Sequence, residues 1–199
     1  MGKRKARRRL TKRVLVVLGS PRRKGNSATL ARQAAAGAKS AGAEVETFYL
    51  HGMRIAPCSA CSGCLKRTRD NCVIDDDMQS LYPKLRSCHA LVIASPIYKF
   101  SVSAQTKLFF DRCYALSGPE GNALKGTGIG IVLTYGDPDP LTSGVMNAVR
   151  MFQDALAYMG AEIVGMVHGS AGEPGEIRHN KAAMKKARDL GRALARRPR

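Results

Sequence analysis

Short apolar segments alternate with longer helical ones along most of this 199-residue chain. The first of them, Val14–Leu18, is apolar and rich in β-branched residues, as expected of a strand buried on both faces. The predicted strands are 14–18, 45–50, 90–94, 128–133 and 162–167. The predicted helices are 26–41, a short one ending near 87, 104–115, 145–158 and 181–195. Five β-α units in succession predict an α/β fold, a parallel five-stranded sheet between two layers of helices.

No long linker or internal repeat divides this pattern. With 199 residues, 44% of them hydrophobic, the chain suits one domain with a substantial core. We expect a single domain over 14–199, preceded by a flexible basic tail over 1–13. No apolar run is long enough for a membrane span, and no apolar segment of a secretory signal follows the first charges. With six cysteines, the expected location is a reducing cytoplasm.

The net charge of +18 is concentrated at the two ends of the chain. Eight basic residues lie within 1–13 and eight within 181–199, which together make sixteen of the 33. Such runs predict nonspecific, salt-dependent attraction to phosphate polymers. No aromatic residues alternate with them, so we expect no nucleic-acid recognition beyond nonspecific contact by the basic tails.

Four of the six cysteines fall within fifteen positions, in the spacing C-x2-C-x2-C-x7-C. A loop over 57–73 with three closely spaced thiols and a nearby fourth favours a 4Fe-4S cluster, because each iron takes one thiolate. The predicted ligands are Cys58, Cys61, Cys64 and Cys72. Zinc, which usually takes two separated Cys-x2-Cys pairs, and a metal-free or disulfide-bonded loop are the alternatives. The isolated Cys88 and Cys113 are expected to pack as small apolar residues.

The loop after the first predicted strand runs from Gly19 to Ser27. It carries hydroxyl groups, an amide and three consecutive cations, and it leads into the start of a helix. Free N–H groups and the helix dipole favour an anion at such a start. Its spacing matches neither the Walker A nor the dinucleotide pattern, so a phosphate monoester fits best. The alternative is an ordinary turn with a helix cap at Asn26 or Ser27.

Two further loops follow the third and fourth predicted strands, and ligands of such sheets bind at these strand ends. Residues 95–103 combine hydroxyl groups with Tyr98 and Phe100 around Pro96, where a planar ring has room. The alternative is that the two aromatic side chains only pack the loop against the domain. Residues 134–137 belong to the same edge of the sheet. Asp75, Asp76 and Asp77, at the start of the short helix, are interpreted as caps rather than as ligands.

Several segments in combination resemble one protein family; they are 20–22, 25–27, the cysteine loop with 72–78, 95–98 and 107–112. Over roughly residues 14–170, the chain resembles the flavodoxin-like NAD(P)H-dependent FMN reductase superfamily. Its compact four-cysteine loop is similar to that of the iron–sulfur flavoproteins. The resemblance implies a flavodoxin-like three-layer sandwich with strand order 2-1-3-4-5. It also implies FMN at the switch point between the first and third strands.

The resemblance also implies which residues contact FMN. The residues implied to contact the phosphate are Ser20, Arg22, Asn26 and Ser27, and those implied to contact the isoalloxazine ring are Pro96, Ile97, Tyr98 and Lys99. From the third loop we expect Thr134, Tyr135 and Gly136 at the same cofactor. Such proteins are dimers or tetramers. The chain departs from the family in the long gap before Cys72 and in Lys99, where an aromatic residue is common.

The expected function is that of an FMN-dependent oxidoreductase. Electrons pass from a reduced donor, NAD(P)H or ferredoxin, to FMN and between FMN and the 4Fe-4S cluster, for small-molecule or protein redox partners. One alternative is a cluster-free NAD(P)H:flavin or quinone reductase. Another is a flavodoxin-type electron carrier without enzymatic activity. The four histidines form no Ser-His-Asp arrangement with motif partners, so no catalytic side chain is assigned.

Overall fold

The structure, a computed structural model, describes residues 12–66 and 71–198. Most of the predicted basic tail lies outside these residues, and Arg13 already belongs to the first strand. The long strands are β1 Arg13–Leu18, β2 Glu44–Tyr49, β3 Ala90–Tyr98, β4 Gly128–Tyr135 and β5 Glu162–Ser170. The α-helices are α1 Asn26–Ser40, α2 Met78–Ser87, α3 Ala104–Arg112, α4 Val145–Tyr158 and α5 Lys181–Arg196.

The five long strands form one parallel sheet in the order β2-β1-β3-β4-β5. β1 lies between β2 and β3, because Leu18 is paired with Tyr49 of β2 on one side and with Ala94 of β3 on the other. The predicted α/β class and the predicted order 2-1-3-4-5 are therefore confirmed. No helix in the described part of the chain is long and apolar enough to cross a membrane.

Alternation of side chains along the strands divides the core into two layers. Val14 and Val16 of β1 pack with α1 and α5, whereas Leu15 and Val17 pack with α2, α3 and α4. Successive residues of a strand point to opposite faces, so a strand covered on both sides must be apolar throughout. The uninterrupted apolar segment 14–18 follows from this requirement.

β3 extends further than the sequence predicts. Ser95 and Pro96 were expected to end it after Ala94, but the strand continues to Tyr98 and turns back through the short antiparallel strand Ser101–Val102. Proline interrupts a strand by lacking an N–H group. Pro96 lies beyond the last β1–β3 pair and is paired only with Thr134 of β4. The strand therefore projects past its neighbour β1.

β4 and β5 also end later than predicted, at Tyr135 and Ser170. Conversely, the predicted helix 104–115 is divided into α3 and a 3₁₀ turn, Cys113–Leu116. Two-residue strands Ser117–Gly118 and Gly121–Asn122 follow, paired as a small hairpin. Because β3, β4 and β5 are longer, they extend beyond the ends of β1 and β2 at the carboxyl edge of the sheet.

Helices α1 and α5 are in close backbone contact. A Cβ atom added at Gly191 would lie 1.8 Å from the carbonyl oxygen of Ala34, and one added at Gly37 would lie 1.9 Å from that of Arg188. Neither position has room for a side chain. The two glycines therefore set the distance between the helices on this face of the sheet.

We expect Gly191→Ala to lower the free energy of unfolding by about 1–3 kcal/mol through overpacking, although alanine is the better helix former by about 1 kcal/mol. Thermal and urea unfolding followed by circular dichroism measure the effect. Gly172→Ala is the control, since its added Cβ meets nothing closer than 3.8 Å and should change stability by less than about 0.5 kcal/mol. An unchanged melting curve for Gly191→Ala contradicts the close contact of the two helices.

Candidate functional site

One cleft opens at the carboxyl edge of the sheet, at the ends of β1, β3, β4 and β5. Its lining consists of Ser20, Arg22, Gly25, Asn26, Ser27, Pro96, Ile97, Tyr98, Thr134, Tyr135, Gly136, Ala171, Gly172 and Pro174. Ten of the eleven residues predicted to contact the cofactor are in this list; Lys99 is not. The structure thus brings together side chains from three loops that are far apart in the sequence.

The floor of the cleft is the start of α1. Gly25 holds the cap position of the helix, and no side chain caps it, so the alternative of a cap at Asn26 or Ser27 is wrong. The hydroxyl group of Ser20 accepts a hydrogen bond of 3.1 Å from the N–H of Arg22, which folds the loop around the helix start. The first N–H groups of a helix have no partner within it. They are therefore available to a ligand here.

Ser27 is the most informative residue of the cleft. Its side chain is 1% exposed, and its hydroxyl oxygen has no hydrogen-bond partner among the described residues. A buried hydroxyl without a partner costs free energy unless a ligand supplies one. A Cβ atom at the neighbouring Gly25 would lie 3.0 Å from the hydroxyl of Ser20, so glycine leaves this corner narrow but open. The residues present therefore fit a small anionic group.

Asn26 serves the cleft indirectly. Its side-chain amide donates to the carbonyl oxygens of Ala171 at 3.1 Å and Glu173 at 2.9 Å, and its oxygen accepts from the N–H of Ile177. The side chain is thus engaged with the loop after β5. Only its backbone N–H remains for a ligand, so a role of the Asn26 amide in phosphate binding is not what this geometry favours.

The loop after β5 is a part of the cleft that the sequence reasoning missed. Ala171, Gly172 and Pro174 line it opposite the first loop. The available signal was the glycine- and proline-containing stretch 169–175, which directly follows a predicted strand. Because the carboxyl ends of parallel strands share one edge, a loop of this composition belonged with the other three.

A group of buried hydroxyls supports the cleft from below. The side chain of Ser103 donates to the carbonyl oxygen of Gly19 at 2.7 Å, and its backbone N–H donates to the hydroxyl of Ser95 at 3.0 Å. Its hydroxyl oxygen also caps α3 by accepting from the backbone N–H of Thr106. A Cβ atom at Gly19 would lie only 1.8 Å from the Thr106 hydroxyl oxygen. These contacts fix the ends of β1 and β3 relative to each other.

The turn after β3 has an unusual backbone. Lys99 and Phe100 both have positive φ angles, 47° and 64°, which non-glycine residues seldom adopt. Phe100 lies against Gly144, where a Cβ would be 2.4 Å from its Cα, and its carbonyl oxygen accepts from Asn147. Lys99, in this turn, is not among the residues that line the cleft. The side chains of Tyr98 and Phe100 are exposed, so the alternative that both only pack the loop down is wrong.

Tyr135 closes the β4 side of the cleft. Its hydroxyl group lies 3.1 Å from Nδ1 of His168, and burial, with a contribution from Asp139, raises the pKa of the phenol above its ordinary value. The phenol is therefore neutral near pH 7. The carbonyl oxygen of Tyr135 accepts from Ala171, which connects β4 to the missed loop.

The cysteine loop forms a second hollow, beside the end of α3. Its lining includes Cys58, Cys61, Cys64 and Cys72, together with Asp111 and Tyr114 of the opposite wall. All four thiols are free. Among residues 12–66 and 71–198, no three His, Cys, Asp or Glu side chains are grouped closely enough to hold a metal ion. The structure thus brings the four predicted ligands to one hollow without gathering them around a centre.

The backbone of this loop and the thiol environments differ from one position to the next. Ala60 and Ser62, which flank Cys61, both have positive φ angles. Hydrogen bonds from the backbone of Gly63 and from Ser59 lower the pKa of the Cys61 thiol, whereas burial and the neighbouring Cys72 raise that of Cys64. The donor set itself, four free thiols on one hollow, fits an iron–sulfur cluster. Cys88 and Cys113 are buried in the core, as expected.

A buried ion pair between Arg112 and Asp76 lies at the base of the cysteine loop. The two side chains are 1% and 8% exposed, and Nη2 of the arginine donates to the carboxylate at 3.1 Å. Burial opposes the charged form, yet hydrogen bonds from Arg112, Ala56 and Met78 keep the pKa of Asp76 below its ordinary value. The interpretation of the aspartates as helix caps is therefore only partly right: Asp76 accepts from Met78 but chiefly binds Arg112.

Comparisons with known proteins agree with this geometry. The family described as NADPH-dependent FMN reductase matches residues 12–175. An iron–sulfur flavoprotein of Methanosarcina thermophila is 34% identical over 149 residues, 75% of each chain. Another, from Archaeoglobus fulgidus, is 34% identical over 184 residues, 90% of this chain and 77% of the relative. The structure of an NAD(P)H:quinone oxidoreductase from Methanothermobacter marburgensis has a TM-score of 0.71 at 17% identity, covering 95% of this chain and 100% of that one.

The fold and the cleft thus define a flavodoxin-like oxidoreductase. The chain belongs to the NADPH-dependent FMN reductase family, and it is an FMN-dependent oxidoreductase. The resemblance stated from the motifs and the expected class of enzyme are both confirmed. The residues assigned to FMN and to the cluster remain predictions, which the geometry described above supports to different degrees.

Proposed function

We propose that the cleft binds FMN with its phosphate at the start of α1. The observation that carries this proposal is the hydroxyl of Ser27, which is buried without a partner in the described part of the chain, beside N–H groups that the helix leaves free. Arg22 lines the same corner and supplies a cation. Ser20 orders the loop and offers a second hydroxyl. The contribution of Asn26 is its backbone N–H, because its side chain is engaged elsewhere.

The isoalloxazine ring belongs between the projecting end of β3 and the end of β4. Pro96, Ile97 and Tyr98 form one side, and the segment 134–136 forms the other. FMN, when bound, would supply the redox chemistry, that is, the transfer of a hydride or of single electrons. The protein supplies the position and the electrostatics. Arg22 is the cation of the first loop that lines the cleft, whereas Lys99 does not line it.

We infer that NAD(P)H is the electron donor and that a 4Fe-4S cluster bound by Cys58, Cys61, Cys64 and Cys72 exchanges electrons with FMN. The family description supports the donor, and the names of the two archaeal relatives support the cluster. The four free thiols on one hollow supply the donor set. The cluster-free reductase is the second candidate, favoured by the exposed positions of Cys58 and Cys61 and by the spread of the four thiols.

We also propose that the protein is a homodimer or homotetramer with contacts near the cleft. Tyr98, which lines the cleft, has an exposed apolar side chain, and so has Phe100, which lies against Gly144. Leu141 and Met146, within three residues of Gly144 in the chain, are exposed as well. Such a group of apolar side chains favours burial against another chain. Light scattering of the purified protein should give at least twice the monomer mass. A monomer at micromolar concentration contradicts this proposal.

Arg22→Ala should weaken FMN binding by about 1.5–3 kcal/mol, the range for a charge-assisted hydrogen bond. Quenching of flavin fluorescence during titration measures the affinity. Arg23→Ala is the matched control, because the guanidinium of Arg23 lies over the ring of Tyr49 at 4.0 Å and does not line the cleft. Equal losses for both variants would indicate only a diffuse effect of positive charge.

Ser27→Ala separates a binding role from a structural one. The variant removes a buried hydroxyl without a partner, so the apo protein should be as stable as the wild type or more stable. Its FMN affinity should fall. A loss of apo stability with unchanged affinity would place the phosphate elsewhere.

Protein purified anaerobically, or reconstituted with iron and sulfide, should contain about four irons per chain, one for each thiolate. Cys61→Ala should abolish iron binding and leave FMN bound, because the two hollows have no residue in common. Iron and sulfide analysis with the visible spectrum measures both. If reconstitution never adds iron while NAD(P)H oxidation with a quinone acceptor proceeds, the cluster-free reductase is the correct function.

A further inference from the structure

The cysteine loop is fastened at its base by residues outside it. The N–H of Arg54 donates to the carboxylate of Asp77 at 2.7 Å, and the N–H of Asp77 donates to the carbonyl oxygen of Arg54 at 3.0 Å. The N–H of Ala56 donates to Asp76 at 2.9 Å. The two chain segments that enter and leave the loop are thus hydrogen-bonded to each other next to Cys58, the first cysteine.

Arg112 completes this junction from α3. Its Nη1 donates to the carbonyl oxygen of Ala56 at 2.8 Å while the guanidinium also binds the carboxylate of Asp76. Both polar backbone groups of Ala56 are therefore held by one buried ion pair. The carbonyl oxygen of Arg112 accepts in turn from the hydroxyl of Tyr82 on α2. The pair connects the loop to two helices of the core.

Two observations indicate that this pair acts on the cysteines and not on the fold alone. The Nε of Arg112 is buried and has no hydrogen-bond partner among the described residues. Cys72 lines the same hollow as Asp111, the residue that precedes Arg112 in the chain. In addition, Gln79 holds the carbonyl oxygens of Cys72 at 2.7 Å and Ile74 at 2.6 Å. A buried ion pair is seldom needed for stability, since apolar side chains of the same volume serve as well or better.

We propose that the Asp76–Arg112 pair is the positioning device of the cysteine loop: it closes the base of the loop and holds Cys72 and Cys58 so that four thiolates can converge on an iron–sulfur cluster. The proposal rests on the cluster proposed above. Groups behind metal ligands commonly orient them, and their loss lowers metal affinity about 10- to 100-fold.

The test uses the double variant Asp76→Asn/Arg112→Met, which removes both charges and leaves no unpaired buried ion. Arg112→Lys is the second variant; it keeps the charge but lacks the planar fork that binds Ala56 and Asp76 together. Arg150→Met is the matched control, because it breaks an exposed ion pair with Asp154 on α4. Each protein is examined full length, with FMN bound.

The first readout is alkylation of each cysteine by iodoacetamide in metal-free protein, followed by mass spectrometry. Cys58 is exposed and should react rapidly in every variant, whereas Cys88 and Cys113 should stay protected by the core. Cys72, which is buried, should react about tenfold faster in the double variant than in the wild type, because the base of the loop opens locally. Arg112→Lys should give an intermediate rate, and Arg150→Met the wild-type rate.

The second readout is iron bound after anaerobic reconstitution, beside the FMN content. Iron affinity of the double variant should fall about 10- to 100-fold with FMN binding unchanged. The proposal is overturned if Cys72 stays protected, or if Cys88 and Cys113 lose protection together with it, which would make the pair a general support of the fold. If the wild type binds no iron, the cluster proposal fails, while the alkylation of Cys72 still decides whether the pair orders the loop.

Discussion

The position of β1 between β2 and β3 is the constraint on which the rest of the structure depends. Because the chain leaves β1 toward β2 on one side and returns to β3 on the other, α1 covers one face of the sheet and α2 the opposite face. A crevice must open between the two connections at the carboxyl ends of β1 and β3. The hydrogen bonds from Ser103 to Gly19 and Ser95 hold these strand ends at a fixed separation. The topology of the sheet therefore creates the cleft, and the side chains that line it determine what it can bind.

The cleft and the cysteine hollow are ordered in different ways. The cleft is built on strand ends and a helix start, and its side chains are held by short contacts such as those of Asn26 with the loop after β5. It needs little rearrangement to accept a ligand. The cysteine loop is held at its base by Asp76, Asp77 and Arg112, and two of its four thiols are exposed. Free N–H groups, and a hydroxyl without a partner among the described residues, favour an anion before any ligand is present. Thiols on a loop converge on a metal centre only when that centre binds them.

The sequence predicts well those features that depend on local pattern. The apolar segment 14–18, the start of α1 at Asn26 and the strand order carried by the family resemblance all agree with the structure. The failures have a common physical cause, which is contact with distant residues. The stop signal at Ser95 and Pro96 is overridden because Pro96 is paired with β4 alone, where its missing N–H does not end the strand. Asn26 is a ligand candidate by type, but residues 145 to 151 positions away occupy its side chain.

Arg112 is a further case in which contacts with residues distant in the sequence decide the role of a side chain. In the sequence it lies within the predicted helix 104–115, and in a chain with 33 basic residues its type alone does not indicate burial. In the structure it is 1% exposed, 36 positions from its partner Asp76 and 56 from Ala56. Burying an arginine requires a partner for its charge and acceptors for its N–H groups, and five such donors are seldom satisfied by chance. The acceptors that bind its guanidinium, the carbonyl oxygen of Ala56 and both carboxylate oxygens of Asp76, belong to the flanks of the cysteine loop, which ties this charge to the loop more closely than to the core.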